Sequence, residues 1–93
     1  MTVRMAEFGV SFATRERARE IAGLIGSGRD VTIDFTDVGA ASPSFVDELV
    51  GALAECFSGV VEFCSLSPAL SALIDRQIAK REVGDRFHVL ALV

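Results

Sequence analysis

Val31-Thr32-Ile33-Asp34-Phe35 and, after a short connection, Ser42-Pro43-Ser44-Phe45-Val46-Asp47-Glu48-Leu49 decide the fold. In the first stretch Val31, Ile33 and Phe35 alternate with Thr32 and Asp34, the pattern of a strand with one apolar face. In the second, Ser42 stands where a helix N-cap belongs. Pro43 takes the first helical position, where a missing N–H costs nothing. Val46, Leu49, Val50, Leu53 and Phe57 then recur at helical spacing as a buried stripe. The unit is strand, loop over Asp37-Val38-Gly39-Ala40-Ala41, helix. The loop and helix N-terminus beyond a strand's carboxyl end are where open α/β sheets usually bind their ligands.

Working outward, Val3, Met5, Phe8, Val10 and Phe12 surround Gly9 and predict a strand interrupted by a turn, or a short hairpin. Thr14 is placed to cap a helix whose apolar positions are Ala18, Ile21, Ala22 and Ile25, with Arg15, Glu16, Arg19 and Glu20 on the wet side. Gly26-Ser27-Gly28 stops it. Val60 to Cys64 predicts a third strand. Ser67-Pro68 repeats the cap-plus-proline device and opens a helix with Leu70, Leu73, Ile74 and Ile78 on one face. Asp75, Arg76, Lys80 and Arg81 of that helix are expected in water. Gly84-Asp85 is a turn, and Arg86 to Val93 a last strand. Strands alternating with helices give an α/β fold: a small mixed β-sheet with a parallel core and right-handed crossover helices. Residues 1–93 form a single domain.

Half of the 93 residues are apolar, enough to build a core without disulfides or metal. The net charge is −4, and the basic residues are interspersed with acids, which argues against a nucleic-acid partner. No apolar run is long enough to cross a bilayer, and Met1-Thr2-Val3-Arg4 leads into the pattern without a signal-peptide core. A cytoplasmic protein with no membrane contact is expected. Cys56 and Cys64 form no CxxC or zinc spacing and are expected to be reduced and buried. His88, in the last strand, has no acid–base partner assignable from spacing. Rossmann and P-loop glycine motifs are absent. No metal, cofactor or catalytic residue is expected, and the chain reads as a non-enzyme.

What remains are hydroxyls and carboxylates around the strand end. Asp34 and Asp37 flank the strand exit. They read either as ligands of a hard cation or as a strand-edge acid and a turn residue bonding its own backbone. Ser42 reads as an N-cap worth about 1 kcal/mol, and Ser44 as an early helical residue. Both also lie at a helix N-terminus, where free N–H groups and the macrodipole accommodate a phosphate. At 100° per residue, Ser44, Glu48, Gly51 and Glu55 lie opposite the apolar stripe. A mid-helix glycine costs about 1 kcal/mol relative to alanine. Gly51 therefore marks either a tolerated defect or a place where another backbone comes close.

Three stretches resemble the STAS-like family, a compact offshoot of the STAS domains of anti-sigma-factor antagonists and related bacterial signalling proteins. Phe12-Ala13-Thr14-Arg15-Glu16-Arg17-Ala18 resembles that family's (S/T)R-x-x-A helix start. Val31-Thr32-Ile33-Asp34-Phe35 with Val38 resembles V-x-L-D-F-x-x-V. Ser44-Phe45-Val46-Asp47-Glu48-Leu49 resembles (S/A)-F-(A/V)-D-E-(L/I). In the better-known antagonists the loop before this helix reads D-S-(S/T)-G, and its serine is phosphorylated by a kinase-like anti-sigma factor. Here the loop reads Ala41-Ser42-Pro43-Ser44-Phe45, without that aspartate or glycine. The resemblance implies a signalling or adaptor domain that docks a protein partner, such as a histidine-kinase-like ATPase. Its contact surface would be Ser42, Ser44, Asp47, Glu48, Gly51 and Glu55, with Ser42 or Ser44 as the phosphorylation site. The alternative is a small-ligand or nucleotide sensor using Asp34, Asp37 and the Ser42 loop. An enzyme with Asp47 or Glu48 as base, and a purely structural subunit, are the remaining readings.

Overall fold

A computed structural model describes residues 1–90. Six short strands and three helices follow one another: β1 (Thr2–Arg4), a 3-10 turn (Met5–Phe8), β2 (Ser11–Phe12), α1 (Arg15–Ile25), β3 (Val31–Asp34), β4 (Ala40–Ala41), α2 (Pro43–Cys56), β5 (Val61–Cys64), α3 (Pro68–Lys80) and β6 (Phe87–Val89). The main sheet has the order β1-β3-β5-β6. All of its pairings are parallel, where a mixed sheet was expected. The α/β fold with a parallel core and crossover helices is as the sequence indicates.

The strand order advances without reversal. Crossovers of the usual right hand then place all the helices on one face of the sheet. Burial follows this rule. Val31, Ile33, Val61, Phe63 and Phe87 are buried under the helices, whereas Thr32, Asp34, Glu62 and Cys64 on the other face are half-buried and His88 is exposed. α2 is the middle helix, packed against α1 on one side and α3 on the other. Its stripe of Phe45, Val46, Leu49, Val50 and Leu53 is buried as the spacing indicates. Ser42 and Ser67 cap α2 and α3 by accepting from the backbone N–H of Phe45 and Leu70, and Thr14 caps α1 by accepting from that of Arg17.

Of the two expectations for the amino-terminal segment, a strand interrupted by a turn or a short hairpin, the hairpin does not form. β1 pairs with β3, while β2 leaves the sheet and pairs in parallel with β4, inside the stretch expected to be loop. Strands of two residues, Ser11-Phe12 and Ala40-Ala41, are too short to carry a periodic signal, so only the tertiary pairing reveals them. This small ribbon fixes the entry to α2. Gly39 N–H donates to the Val10 carbonyl at 2.7 Å and Ser42 N–H to that of Phe12 at 2.8 Å. The Phe12 ring stacks on Phe45 with centroids 4.9 Å apart.

At the other end, the last strand spans only Phe87–Val89 of the expected Arg86 to Val93, and 91–93 lie outside the described residues. Arg86 precedes it and closes the carboxyl end of α2, donating to the carbonyls of Phe57, Gly59 and Ala54. The carbonyls of Ala54 and Phe57 are ones the end of α2 leaves without helical partners, and Gly59 lies in the loop beyond it. Cys56 and Cys64 are free thiols, but both are half-buried, not buried as expected: Cys56 ends α2 at the rim of the core, and Cys64 lies on the sheet face away from the helices.

Phe45→Ala removes a buried ring that ties the ribbon to α2, and should cost about 3–5 kcal/mol. Urea denaturation followed by circular dichroism measures it. A loss under about 1 kcal/mol would show that the stack does not hold α2 in place.

Candidate functional site

The sequence-indicated residues divide into two groups. Ser42, Asp34 and Asp37 are occupied by the fold or lie apart. The Ser42 hydroxyl accepts from Phe45 N–H at 3.1 Å and donates to the Ala13 carbonyl at 2.8 Å, so its donor and cap roles are both filled. The Asp34 carboxylate accepts from the Thr36 hydroxyl at 2.6 Å and the Thr36 N–H at 2.8 Å. These bonds hold its carboxyl below the usual aspartate range. Asp37 is exposed in the left-handed region, with φ 65°, as a turn residue of this type tolerates. None of the three lines either of two surface cavities of the molecule. Cys64 pairs in register with Asp34. Burial, then that neighbouring carboxylate, pushes its thiol pKa up and keeps it protonated.

The second group is centred on α2. Asp47 was expected on the free surface, but its side chain is only 15% exposed and is claimed by three cations. Arg15, in the first turn of α1, donates from Nη1 to Oδ2 at 2.7 Å. Arg81, just past the end of α3, donates from Nη2 to Oδ1 at 2.8 Å and to the Asp47 carbonyl at 3.0 Å. Lys80 Nζ lies 4.0 Å from Oδ1. Bonds from Arg15 and then Arg81 hold the Asp47 carboxyl below its usual range, and the Arg15 guanidinium is correspondingly raised. Asp47 thus joins all three helices. Glu48 lies 3.6 Å from Arg15 and 3.4 Å from Arg19.

Arg81 also corrects the reading of Gly51. The glycine does not face open solvent. A Cβ there would lie 2.8 Å from the Arg81 guanidinium. The close approach that a mid-helix glycine signals is made from within the chain, by a cation expected in water. An arginine at position 51 would meet Arg81 head-on.

Glu48, Gly51 and Glu55, three of the four residues read as one outward face, do come together. With Ala52, Cys56 and Arg81 they form one wall of a groove of about 450 Å³ whose other wall is Arg19, Ala22, Gly23, Gly26 and Ser27 of α1 and its end. Ser44 is exposed at the start of α2, lies outside the groove, and makes no side-chain hydrogen bond among the described residues. The α1 wall was not read from the sequence. Its signal is the spacing Arg19, Ala22, Gly23, Gly26, the same i, i+3, i+4, i+7 row that exposes Glu48, Gly51, Ala52 and Glu55 on α2. A smaller cavity lies between Val38–Ala41 and the start of α3, lined by Ser67, Ala69, Leu70 and Leu73.

A parallel sheet covered on one face, with a short ribbon fixing the start of the middle helix, defines a small α/β domain of the kind the sequence resembles. A model of the family described as "STAS-like domain of unknown function (DUF4325)" matches residues 17–65, slightly more than half of the chain and including the groove lining other than Arg81. The chain belongs to this STAS-like family. No curated protein and no solved structure matches it significantly. No helix among the described residues is long and apolar enough to cross a membrane.

Two outcomes are expected at the site. The folded Asp47 carboxyl titrates below its unfolded value of about 3.9, so on acidification the unfolded chain takes up the proton first. The stabilisation is complete above about pH 5 and is lost as pH falls through the folded value. Asp47→Asn should therefore lower the urea midpoint at neutral pH, with the gap to wild type closing in acid. A gap independent of pH would refute the ionic role.

For Gly51, alanine gains about 1 kcal/mol of helix propensity but displaces Arg81. Gly51→Ala should stabilise more in an Arg81→Ala background than in wild type. Equal gains in both backgrounds would mean that Arg81 does not constrain the position.

Proposed function

We propose that this domain is a non-enzymatic signalling or adaptor module that docks a protein partner through α2. One observation carries the reading. The flank of α2 bearing Glu48, Gly51 and Glu55 is not spent on covering the sheet, and it forms one wall of an open groove. Ser44 stands exposed at the head of the same helix. The ribbon and the Asp47 ion pairs hold this helix in one position, so the surface is preorganised for docking.

A histidine-kinase-like ATPase is the partner class that membership of a STAS-like family supports. Ser44 is the residue suited to modification. Its hydroxyl is exposed, and a phosphate in the first turn of α2 is favoured by the macrodipole. Ser42 is unsuited, because a phosphate there would remove the donor to Ala13 and the cap of α2 together.

The test is a titration against a partner recovered from the host with the wild-type domain. Ser44→Asp and Glu55→Lys change exposed positions. Both should leave the melting curve nearly unchanged while weakening binding several-fold. Ser42→Ala should behave in the opposite way, losing about 1 kcal/mol of stability through its cap. Wild-type binding by both Ser44→Asp and Glu55→Lys would remove α2 as the docking surface.

A further inference from the structure

The groove between α1 and α2 has a direction. Arg15 touches Asp47 near the starts of the two helices, and at their far ends Gly28 N–H, just past α1, donates to the carbonyl of Cys56, the last residue of α2, at 3.1 Å. The helices therefore run parallel, and their macrodipoles add. The charged lining is sorted in the same sense. Arg19, Arg81 and Glu48 lie toward the amino end, where Arg19 pairs with Glu48 and Arg81 with Asp47 behind the lining, and Glu55 lies toward the carboxyl end with no ion-pair partner among the described residues. Only the Nη2 of the Arg81 guanidinium is engaged by Asp47, which leaves donors of its planar fork for another acceptor.

The floor is shaped for a backbone. Ala22, Gly23, Gly26 and Ala52 contribute no side chain beyond a methyl, while the Arg81 guanidinium lies against Gly51. A Cβ at Gly23 or Gly26 would meet nothing within 4 Å. Each wall runs over nine residues, Arg19 to Ser27 and Glu48 to Cys56, and the α2 wall is roughly 12 Å long. That is about the contact length of a short helix lying between two others.

The geometry points to one occupant: an amphipathic helix of the partner protein, seated antiparallel to α1 and α2. It would carry basic residues in its first turn beside Glu55 and acidic residues in its last turn beside Arg19 and Arg81. In that direction its positive amino end meets the two negative helix ends and Glu55. Its unpaired terminal carbonyls meet the two guanidinium groups. The opposite direction sets like ends together. This inference rests on the docking reading above and specifies what is docked.

The test uses the full chain and two stapled helical peptides of about 14 residues sharing one alanine- and leucine-bearing face. One carries lysines in the first turn and glutamates in the last; the other has these charges exchanged. Stapling keeps their helicity equal although the charges act oppositely on the helix itself. Amide shifts in labelled protein locate binding, and their titration gives affinity. The lysine-first peptide should shift Gly23, Gly26, Gly51 and Ala52 and bind about tenfold more tightly than its counterpart. Glu55→Lys should erase most of that difference while melting like wild type.

Equal affinity of the two peptides, shifts confined to other surfaces, or no binding of either at millimolar concentration would overturn the helical occupant. If the host partner still responds to Ser44→Asp or Glu55→Lys in that case, docking through α2 stands and only its helical, antiparallel form is lost. If the partner responds to neither, both readings fall.

Discussion

The order of strands in the main sheet constrains everything built on it. Because β1, β3, β5 and β6 are added in sequence with no reversal, one-handed crossovers lay the helices side by side on a single face. A doubly wound sheet would open a crevice where its strand order reverses, and ligands would collect there. This sheet has no such reversal among its described strands. The surfaces that can bind are accordingly moved outward, from the strand ends to the seams between helices. Parallel sheets are usually covered on both faces. Here the second face carries Thr32, Asp34, Glu62, Cys64 and His88, polar enough to remain half-exposed.

Within that frame, Asp47 sets the relative positions of the helices. It is a mostly buried carboxylate reached from the start of α1 and from the end of α3. An ion pair of this kind is poor evidence for net stability, since desolvation offsets much of the attraction. Its geometric effect is more certain. Removing either arginine leaves a half-buried charge with fewer donors, so the arrangement discriminates against other packings of the three helices. Arg81, drawn across α2 to reach Asp47, lies where a side chain at position 51 would begin and at the same time supplies a cation to the groove. One contact therefore links the seating of α3, a glycine in α2 and the charge of the candidate surface.

Much of the fold was legible because it is local. The caps at Thr14, Ser42 and Ser67, the proline starts, the alternation in β3 and the stripe of α2 are each set by neighbours a few residues apart. The candidate site was legible only in part. The outward row Glu48, Gly51, Glu55 could be read from α2 alone, as could the exposure of Ser44. The facing row on α1 has the same periodicity, but it becomes a wall only when the two helices are packed. Ser42 and Asp34 also hold local structure, since the Ser42 hydroxyl donates to the Ala13 carbonyl and Asp34 Oδ1 accepts from Thr36.

By itself the sequence determined the class of fold, the family, the start of α2 and the face that helix buries, since hydrophobic period and capping chemistry act over a turn or two of chain. Only the tertiary structure decided that β2 and β4 form a separate ribbon, that Asp47 is an ion-pair centre and not a surface acid, and what lies against Gly51. These depend on residues brought together by packing from distant parts of the chain. No local pattern encodes which arginine a carboxylate will meet once the crossovers have closed.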